Sequence, residues 1–263
     1  MKTKLGSADR DWREYYNTED ILNVHLERIN TENRKKYEKF SNSFGASTAG
    51  NCWKKQWFRL NKYPEKPKDA KTNRLLYFGT LFHKTLEDSV NTHGQEWFNT
   101  DVYTEHEIHL PYKPIDVVGH LDLAIVNLTE EVILIKDYKT VNEWAWKFKF
   151  DSKLKKKSKQ SKMYSLQVAT YALGMLEEHP DYDVEMFLHY YNKNDSKMRE
   201  VSVRKGSLIM ADDYWKELNE FFDETDDEDI YNMPKDSTFE IPMEDWECRY
   251  CGYLEECKLA KGK

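Results

Sequence analysis

The sequence predicts an α/β domain, a mixed β-sheet flanked by helices, from three observations. Two β-rich apolar runs, residues 117–126 and 132–135, flank a polar turn and are typical of a hairpin. Apolar side chains then recur with helical spacing over residues 161–178. Two further β-rich runs follow at residues 183–192 and 198–204. Strands on both sides of a helix indicate a sheet with helices packed against it.

The segments before the hairpin and near the end of the chain are predicted to be mainly helical. One helix spans residues 52–59, and another spans about residues 73–93, where Gly94 follows. A short strand at residues 105–110 leads into the hairpin, and residues 211–222 form a late helix. A helical N-terminal lobe is indicated by a broken apolar stripe made of Tyr15, Ile21, Leu22, Val24, Leu26 and Ile29.

Length and composition suggest one large domain with small appended lobes. We expect a helical N-terminal lobe of residues 1–45, a core of residues 46–240 and a C-terminal cysteine segment of residues 241–263. No run approaches the roughly 20 apolar residues of a membrane span. The N-terminal residues also show no apolar signal segment. We therefore expect a cytoplasmic location and no membrane partner.

The net charge of −7 argues against nucleic-acid binding until its distribution is considered. Residues 147–162 contain eight lysines and one acid, whereas residues 211–230 contain ten acids and one lysine. Aromatic residues occupy every second position just before the lysine run, at Trp144, Trp146, Phe148 and Phe150. Lysines with exposed rings suit phosphates and unpaired bases. The alternative is a strand with a buried aromatic face, followed by a lysine loop.

The hairpin carries a candidate metal site formed by Asp122, Asp137 and Lys139. If the turn is centred between residues 129 and 130, opposed residues have numbers that sum to 259, and Asp122 faces Asp137. Opposed side chains have Cβ atoms about 4.5–5.5 Å apart, close enough for two carboxylates to share a divalent cation. The alternative is a hairpin with a surface ion pair, because D-x-K alone is common.

Four cysteines form a second candidate site. Cys248, Cys251 and Cys257 cluster near the end of the chain, and Cys52 lies near its start. Disulfides are rare in the cytosol, so four converging thiolates would indicate a metal or cluster site. The alternative is a set of unrelated thiols.

Several of these residues together resemble the P-D-(D/E)-x-K nucleases in their RecB-like form. Asp122 followed by Asp137-x-Lys139 resembles the catalytic motif, and Gly79-x₃-His83 resembles the first motif. Gln167-x₃-Tyr171 resembles the motif that follows the catalytic strand. One early and three late cysteines resemble the iron–sulfur subgroup, which includes AddB nuclease domains and CRISPR-adaptation nucleases. The resemblance spans about residues 45–260.

The resemblance implies a restriction-endonuclease-like core and a set of roles. Asp122, Asp137 and His83 would hold Mg²⁺ or Mn²⁺, and Lys139 would position the attacking water. The four cysteines would hold a 4Fe-4S cluster, although a tetrahedral zinc site would use the same ligands. Gln167 and Tyr171 would contact DNA or support the site, and the remaining DNA-binding candidates are Lys147, Lys149 and Trp146.

The function that the resemblance implies is metal-dependent hydrolysis of DNA. We expect an exonuclease acting on single strands, in recombination, repair or phage and CRISPR DNA processing. The competing interpretation is a catalytically silent nucleic-acid-binding or scaffold module with a structural zinc or iron–sulfur site. The presence of Asp122, Asp137 and Lys139 together favours the nuclease, because a silent site has no reason to keep all three.

Overall fold

The computed structural model describes residues 17–93, 99–151, 159–225 and 245–259. Within these ranges the helices are α1 (Thr18–Tyr37), α2 (Trp53–Leu60), α3 (Ala70–His93), α4 (Glu143–Phe150), α5 (Lys159–Glu178), α6 (Gly206–Glu224), α7 (Asp245–Arg249) and α8 (Leu254–Leu259). The strands are β1 (Phe44–Gly45), β2 (Thr100–Leu110), β3 (Val117–Asn127), β4 (Val132–Val141), β5 (Asp183–Asn192) and β6 (Met198–Val203). No helix in these ranges has both the length and the apolar character needed to span a bilayer.

The described strands form one mixed six-stranded sheet. β3 pairs in antiparallel fashion with β2 and β4, and β1 pairs in parallel with the start of β3. β4 and β5 are parallel, which requires the crossover that α5 provides, and β6 is antiparallel to β5. The predicted α/β class, a mixed sheet flanked by helices, is confirmed.

The β3–β4 hairpin has the predicted register. Leu123 pairs with Lys136, so opposed residues have numbers that sum to 259. The side chain of Asn127 accepts hydrogen bonds from the backbone of Thr129 and Glu130, both at 3.0 Å, which stabilises the turn. Because the apolar face of each strand is buried, a shift by one residue would expose it, and the register is strongly specified.

The main core lies on the face of the sheet that α5 covers. Ile133 and Ile135 of β4 and Met186 of β5 are almost completely buried there. Gly174 lets α5 approach β2 closely, because an added Cβ would lie 2.6 Å from Ile108 Cβ. α6 packs behind α5, and it also contributes Trp215, whose indole nitrogen donates a 2.8 Å hydrogen bond to Thr170.

The opposite face of the sheet is covered loosely by α3. None of the described side chains of α3 is buried, and Leu75, Leu76, Phe78 and Leu81 are exposed. A cavity of about 770 Å³ lies between α3 and the sheet, with Leu86 and Val90 on the helix side and Ile125 and Leu134 on the strand side. This face therefore buries much less apolar surface than the α5 face.

The described N-terminal residues are mainly helical, with α1 as their longest element. Of the predicted apolar stripe, Leu26 is buried, Ile29 is partly buried, and Ile21, Leu22 and Val24 are exposed; Tyr15 lies outside the described residues. Arg74 links α1 to α3 through Glu19, at 2.9 Å, and Asn23, at 2.6 Å. β1 joins the central sheet, and the division at residues 45 and 240 stays a prediction.

The aromatic run at residues 144–150 is a helix, so the alternative interpretation as a strand is wrong. Asn142 caps α4 by accepting a 2.8 Å hydrogen bond from Ala145 N. The rings pair four residues apart, with Trp144 stacked on Phe148 and Trp146 edge-on to Phe150. Rings at every second position fit a strand, but they also fall four residues apart, which fits a helix. The Asn142 cap favours the helix. The lysine run at residues 152–158 and the acidic residues 226–230 lie outside the described residues.

The C-terminal segment packs on α2 and the loop that follows it. Tyr253 stacks on Phe58 at 5.8 Å between ring centres. The backbone nitrogen of Lys66 donates a 3.0 Å hydrogen bond to Gly252 O. These contacts bring α7 and α8 next to the helix that Cys52 precedes.

Candidate active site

The candidate site lies where β3 and β4 separate. β2 pairs with β3 from Val117 to Asn127 except at Asp122, so β1 and β4 share the other edge of β3. β1 pairs with Val117 and Val118, and β4 pairs with Leu123 to Asn127. Residues 119–122 have no strand partner on that edge among the described residues. The last pair between β3 and β4 is Leu123 with Lys136, so the strands separate at the next position, where Asp122 and Asp137 were predicted to face each other. The two carboxylates lie at this fork.

The Asp122 side chain connects three elements at this fork. Its Oδ2 atom accepts a 2.6 Å hydrogen bond from Tyr138 N, in place of the backbone carbonyl that a continued ladder would supply. Its Oδ1 atom lies 3.4 Å from His83 Nδ1 on α3. Asp122 therefore joins β3 to β4 and faces the helix on the opposite side of the sheet.

Asp137 is a buried carboxylate with one cationic neighbour. Its side chain is 2% exposed, and Lys139 Nζ lies 2.7 Å from Oδ2. The Lys139 ammonium is the partner of Oδ2, and no other donor within the described ranges reaches this oxygen. Burial raises the pKa of Asp137 to about 6, and Lys139 only partly offsets this, because Asp122 adds negative charge nearby.

Lys139 is held from behind by the Gln167 and Tyr171 pair. Lys139 Nζ donates a 3.0 Å hydrogen bond to Gln167 Oε1, and Gln167 Nε2 donates a 2.9 Å hydrogen bond to the Tyr171 hydroxyl. Gln167 and Tyr171 are both buried in the face that α5 covers. Burial alone would lower the pKa of Lys139, but the carboxylates of Asp137 and Asp122 outweigh it and raise the pKa. The amine therefore stays protonated.

His83 reaches the site because α3 approaches β4 at Gly79. A Cβ added to Gly79 would lie 3.3 Å from Thr140 Oγ1, so a larger side chain would push the helix outward. One turn further along α3, the His83 ring packs edge-on against Tyr138 at 6.0 Å. Burial lowers the pKa of His83, but the adjacent Asp122 carboxylate more than offsets it, and the net pKa is raised.

Comparisons with known proteins identify the family. The model of the PD-(D/E)XK nuclease superfamily matches residues 93–258, which include Asp122, Asp137, Lys139, Gln167 and Tyr171. The chain belongs to this superfamily. His83 and Cys52 lie outside the matched range. A sequence search against curated proteins finds no match.

Two solved structures are similar to this superfamily member. The protein SSO0001 superposes with a TM-score of 0.54 and 14% identity, over 91% of this chain and 97% of the other. A candidate exonuclease from Eubacterium rectale gives a TM-score of 0.46 and 12% identity, over 70% and 81%. At 14% identity, the likeness to SSO0001 shows a shared fold alone.

The sequence interpretation missed one carboxylate next to the site. Thr104 pairs with Leu123 and His106 with Leu121, so Glu105 of β2 lies opposite Asp122 of β3. The backbone of Glu105 is left-handed, with φ 49°, in the middle of a strand. Burial raises the pKa of its carboxyl group, and Asp122 adds to the effect. Only the β2–β3 register reveals this neighbour, and no local motif indicates it.

The residues at the fork suit a hard divalent cation. Carboxylate oxygens are ligands that Mg²⁺ and Mn²⁺ accept, and Asp137 offers a buried carboxylate near Asp122. As arranged, no group of three or more His, Cys, Asp or Glu side chains in the described part of the chain is ready to hold a metal ion. Lys139 occupies the Asp137 carboxylate in this arrangement, so a cation would share or displace that contact.

Electrostatic effects connect Cys251 to each of the other three cysteines. Burial raises the pKa of the Cys52 thiol, and Cys251 and Cys257 raise it further. Burial also raises the pKa of Cys251, with added effects from Cys257 and Cys248. All four thiols are free and partly buried. Thiolates that oppose one another's ionisation are a donor set that a cationic metal or cluster would stabilise.

Proposed function

We propose that the protein is a metal-dependent nuclease that hydrolyses DNA phosphodiester bonds at Asp122, Asp137 and Lys139. The observation that carries the proposal is the buried Asp137 carboxylate, paired with Lys139 beside Asp122 in a member of a nuclease superfamily. A buried ion pair with a second carboxylate nearby costs folding free energy. Binding a cation and acting on a phosphate would account for that cost.

The proposed roles follow from the contacts of each side chain. Asp122, Asp137 and His83 would hold Mg²⁺ or Mn²⁺, which lowers the pKa of bound water and neutralises charge on a phosphate. Lys139 orients the attacking water and stabilises negative charge that develops on the phosphate. Gln167 fixes the direction of the Lys139 amine, and Tyr171 fixes Gln167. Their burial supports a positioning role for this pair over direct contact with DNA.

The substrate we propose is DNA, with single strands preferred and cleavage from an end. Trp144 at the start of α4 is 70% exposed and is stacked on Phe148, which offers a ring to unpaired bases. Trp146 packs instead against Phe150 at the edge of the core, so a DNA contact by Trp146 would use only its exposed edge. Roles in recombination, repair or phage and CRISPR DNA processing stay predictions from the sequence resemblance. A cytoplasmic location stays a prediction from the distribution of apolar residues along the sequence.

Substitution of the carboxylates tests the proposed activity. We expect Asp137→Asn to lower cleavage of labelled DNA at least about a hundredfold, because the change removes charge that the site needs in the transition state. The control is Asp116→Asn, since Asp116 is a partly exposed carboxylate paired with His109 at 2.9 Å. The assay compares single-stranded DNA, duplex DNA and RNA with Mg²⁺, Mn²⁺ or EDTA.

Two results of this assay would contradict the proposal. Cleavage by Asp137→Asn at more than a few per cent of the parent rate would place the chemistry elsewhere. DNA binding by the parent protein without Mn²⁺-dependent cleavage would favour the silent binding module.

We also propose that Cys52, Cys248, Cys251 and Cys257 hold a 4Fe-4S cluster with a structural role. The mutual effects of these thiols on their pKa values support it, as does the packing of the C-terminal segment against α2. Hydrolysis moves no electrons, so the reaction does not require redox chemistry. A tetrahedral zinc ion is the alternative occupant.

Removal of one thiol tests this staple. We expect Cys52→Ser to lose iron and visible absorbance and to melt at a lower temperature, because a bridge across a long loop restricts the unfolded chain. The measurements are metal content and melting of anaerobically purified protein. Colourless protein with one zinc ion per chain would show that zinc, and not a cluster, is the occupant. Metal-free protein whose melting temperature is unchanged by Cys52→Ser would contradict both a cluster and a zinc site.

A further inference from the structure

Lys149 occupies an enclosed position at the C-terminal end of α4. Its Nζ atom donates a 2.8 Å hydrogen bond to Ser161 Oγ at the start of α5 and lies 4.4 Å from the centre of the Tyr190 ring on β5. The side chain is partly buried between these elements. Among the described residues it has no carboxylate partner. An ammonium group with neutral neighbours and no acid is an incomplete arrangement that an anion would complete.

The enclosed amine and the candidate catalytic lysine border the same tyrosine ring. Tyr190 pairs with Lys139 in the β4–β5 register, so the ring under Lys149 belongs to the residue beside Lys139. Lys139 Nζ and Lys149 Nζ lie 4.7 and 5.8 Å from the centre of the same Tyr164 ring. The two amines therefore border one ring, on the face of the sheet that carries the Asp137 carboxylate.

Lys147 provides a direct contrast on the same helix. It is exposed and forms a 2.6 Å ion pair with Glu143 one turn earlier. An exposed lysine that is already neutralised by an acid gains little from a phosphate, because it must first give up that partner. Both lysines lie between aromatic residues in the sequence of α4. Of the two, only Lys149 is enclosed and has no acidic partner among the described residues.

We propose that Lys149, positioned by Ser161, binds the DNA phosphate next to the scissile phosphate. The proposal rests on the proposed nuclease function, because Lys139 marks the scissile position. A single ammonium group recognises the charge of a phosphate without reading a base, so the subsite sets the register of the strand and is independent of sequence. Tyr164 and Tyr190 form the walls of the subsite. Arg199 of β6 lies 4.6 Å from the centre of the Phe150 ring and adds a second positive charge on the side away from the fork.

The environment of the amine adds a pH dependence. Burial lowers the pKa of Lys149 to about 8, so the unbound subsite loses its charge as the pH rises past this value. The groups that contact it are Ser161 and Tyr164 of α5 and Tyr190 of β5, and Lys139 of β4 borders the same Tyr164 ring. Tyr190 and Lys139 both have raised pKa values, so neither loses a proton near pH 8.

The test is a binding cycle between a protein variant and a DNA modification. Single-stranded oligonucleotides carry one neutral methylphosphonate linkage, moved one position at a time, and bind protein that carries Asp137→Asn to prevent cleavage. Cleavage products of the parent protein mark the scissile linkage. We expect Lys149→Met to weaken binding about tenfold, the range of one charge-assisted hydrogen bond. In protein that keeps Lys149, a methylphosphonate next to the scissile linkage should also weaken binding about tenfold. In the Lys149→Met variant, the same modification should cause no further loss of affinity.

Two further variants control for non-specific charge effects. Lys147→Met should show no coupling to the adjacent linkage, although it removes the same charge from the same helix. Lys149→Arg should keep the affinity and abolish its decline above pH 8, because a guanidinium group stays protonated. Unfolding of each variant is measured to confirm the fold.

The outcomes separate the subsite from the nuclease function. If the parent cleaves DNA but Lys149→Met couples to no linkage, or to a distant one, the subsite is wrong and the nuclease stands. Equal coupling of Lys147→Met would also overturn it, because any lysine of α4 would then serve. If the parent cleaves nothing, the proposed function fails, and the assignment of a scissile neighbour fails with it.

Discussion

The two faces of the central sheet differ in how tightly helices cover them. On the α5 face, neighbouring strand residues such as Ile135 and Met186 are almost fully buried. On the α3 face, Leu134 lines a cavity of about 770 Å³ beneath a helix none of whose described residues is buried. Adjacent residues of one strand thus lie in a packed core on one side and at an open groove on the other.

The two faces therefore contribute differently to the candidate site. Asp137 and Lys139 project from the packed face, where Gln167 holds the lysine in place. His83 comes from the loosely covered face and meets Asp122 at the fork between the strands. The rigid face therefore positions the charged pair, whereas the open face leaves room for movement of the helix that carries His83.

The largest expected change in stability comes from truncating two neighbouring side chains of β4, one on each face of the sheet. We expect Ile135→Ala to lower the free energy of unfolding by about 2–5 kcal/mol, because it leaves a cavity in the packed core. Leu134→Ala should cost only about 1 kcal/mol, since its side chain already borders open space. Urea unfolding followed by tryptophan fluorescence measures both. Equal costs would show that the two faces contribute alike.

A smaller effect is expected from filling the contact between α5 and β2. Gly174→Ala would place a Cβ 2.6 Å from Ile108 Cβ, and the required shift should cost about 1–3 kcal/mol. Gly206→Ala is the matched control, because an added Cβ there meets nothing within 4 Å. The same unfolding measurement applies. A neutral Gly174→Ala would show that α5 can move away from the sheet without loss.

The charge buried on the packed face should appear as a pH dependence of stability. The native state keeps the Asp137 proton up to about pH 6, whereas the unfolded chain loses it near pH 4. The native state therefore binds more protons in this window, and stability relative to Asp137→Asn falls as the pH rises through it, by about 1–3 kcal/mol. Urea unfolding at pH 4.5 and pH 7 in EDTA measures the difference. A difference that grows with pH would mean that Lys139 outweighs the burial of the carboxylate.

Local pattern was sufficient for the elements that carry most of the site. Alternating apolar residues and turn chemistry predicted the β3–β4 register, and helical spacing predicted α3 and α5 within a few residues. These features depend on neighbours in sequence, because strand periodicity and turn geometry are local. The aromatic run of α4 was ambiguous, since pairs such as Trp144 and Phe148 fit a helix while the rings also alternate.

By itself, the sequence determined the α/β class, the hairpin register and the candidate residues Asp122, Asp137 and Lys139. Tertiary structure alone decided which further groups meet them: Glu105 of β2 lies opposite Asp122, and Lys149 is enclosed at the ring that Lys139 also borders, while Lys147 faces solvent. The reason is physical. Contacts between residues distant in sequence depend on how strands pair and helices cross, which no local period encodes, whereas the pattern of a single strand or helix follows from its own backbone geometry.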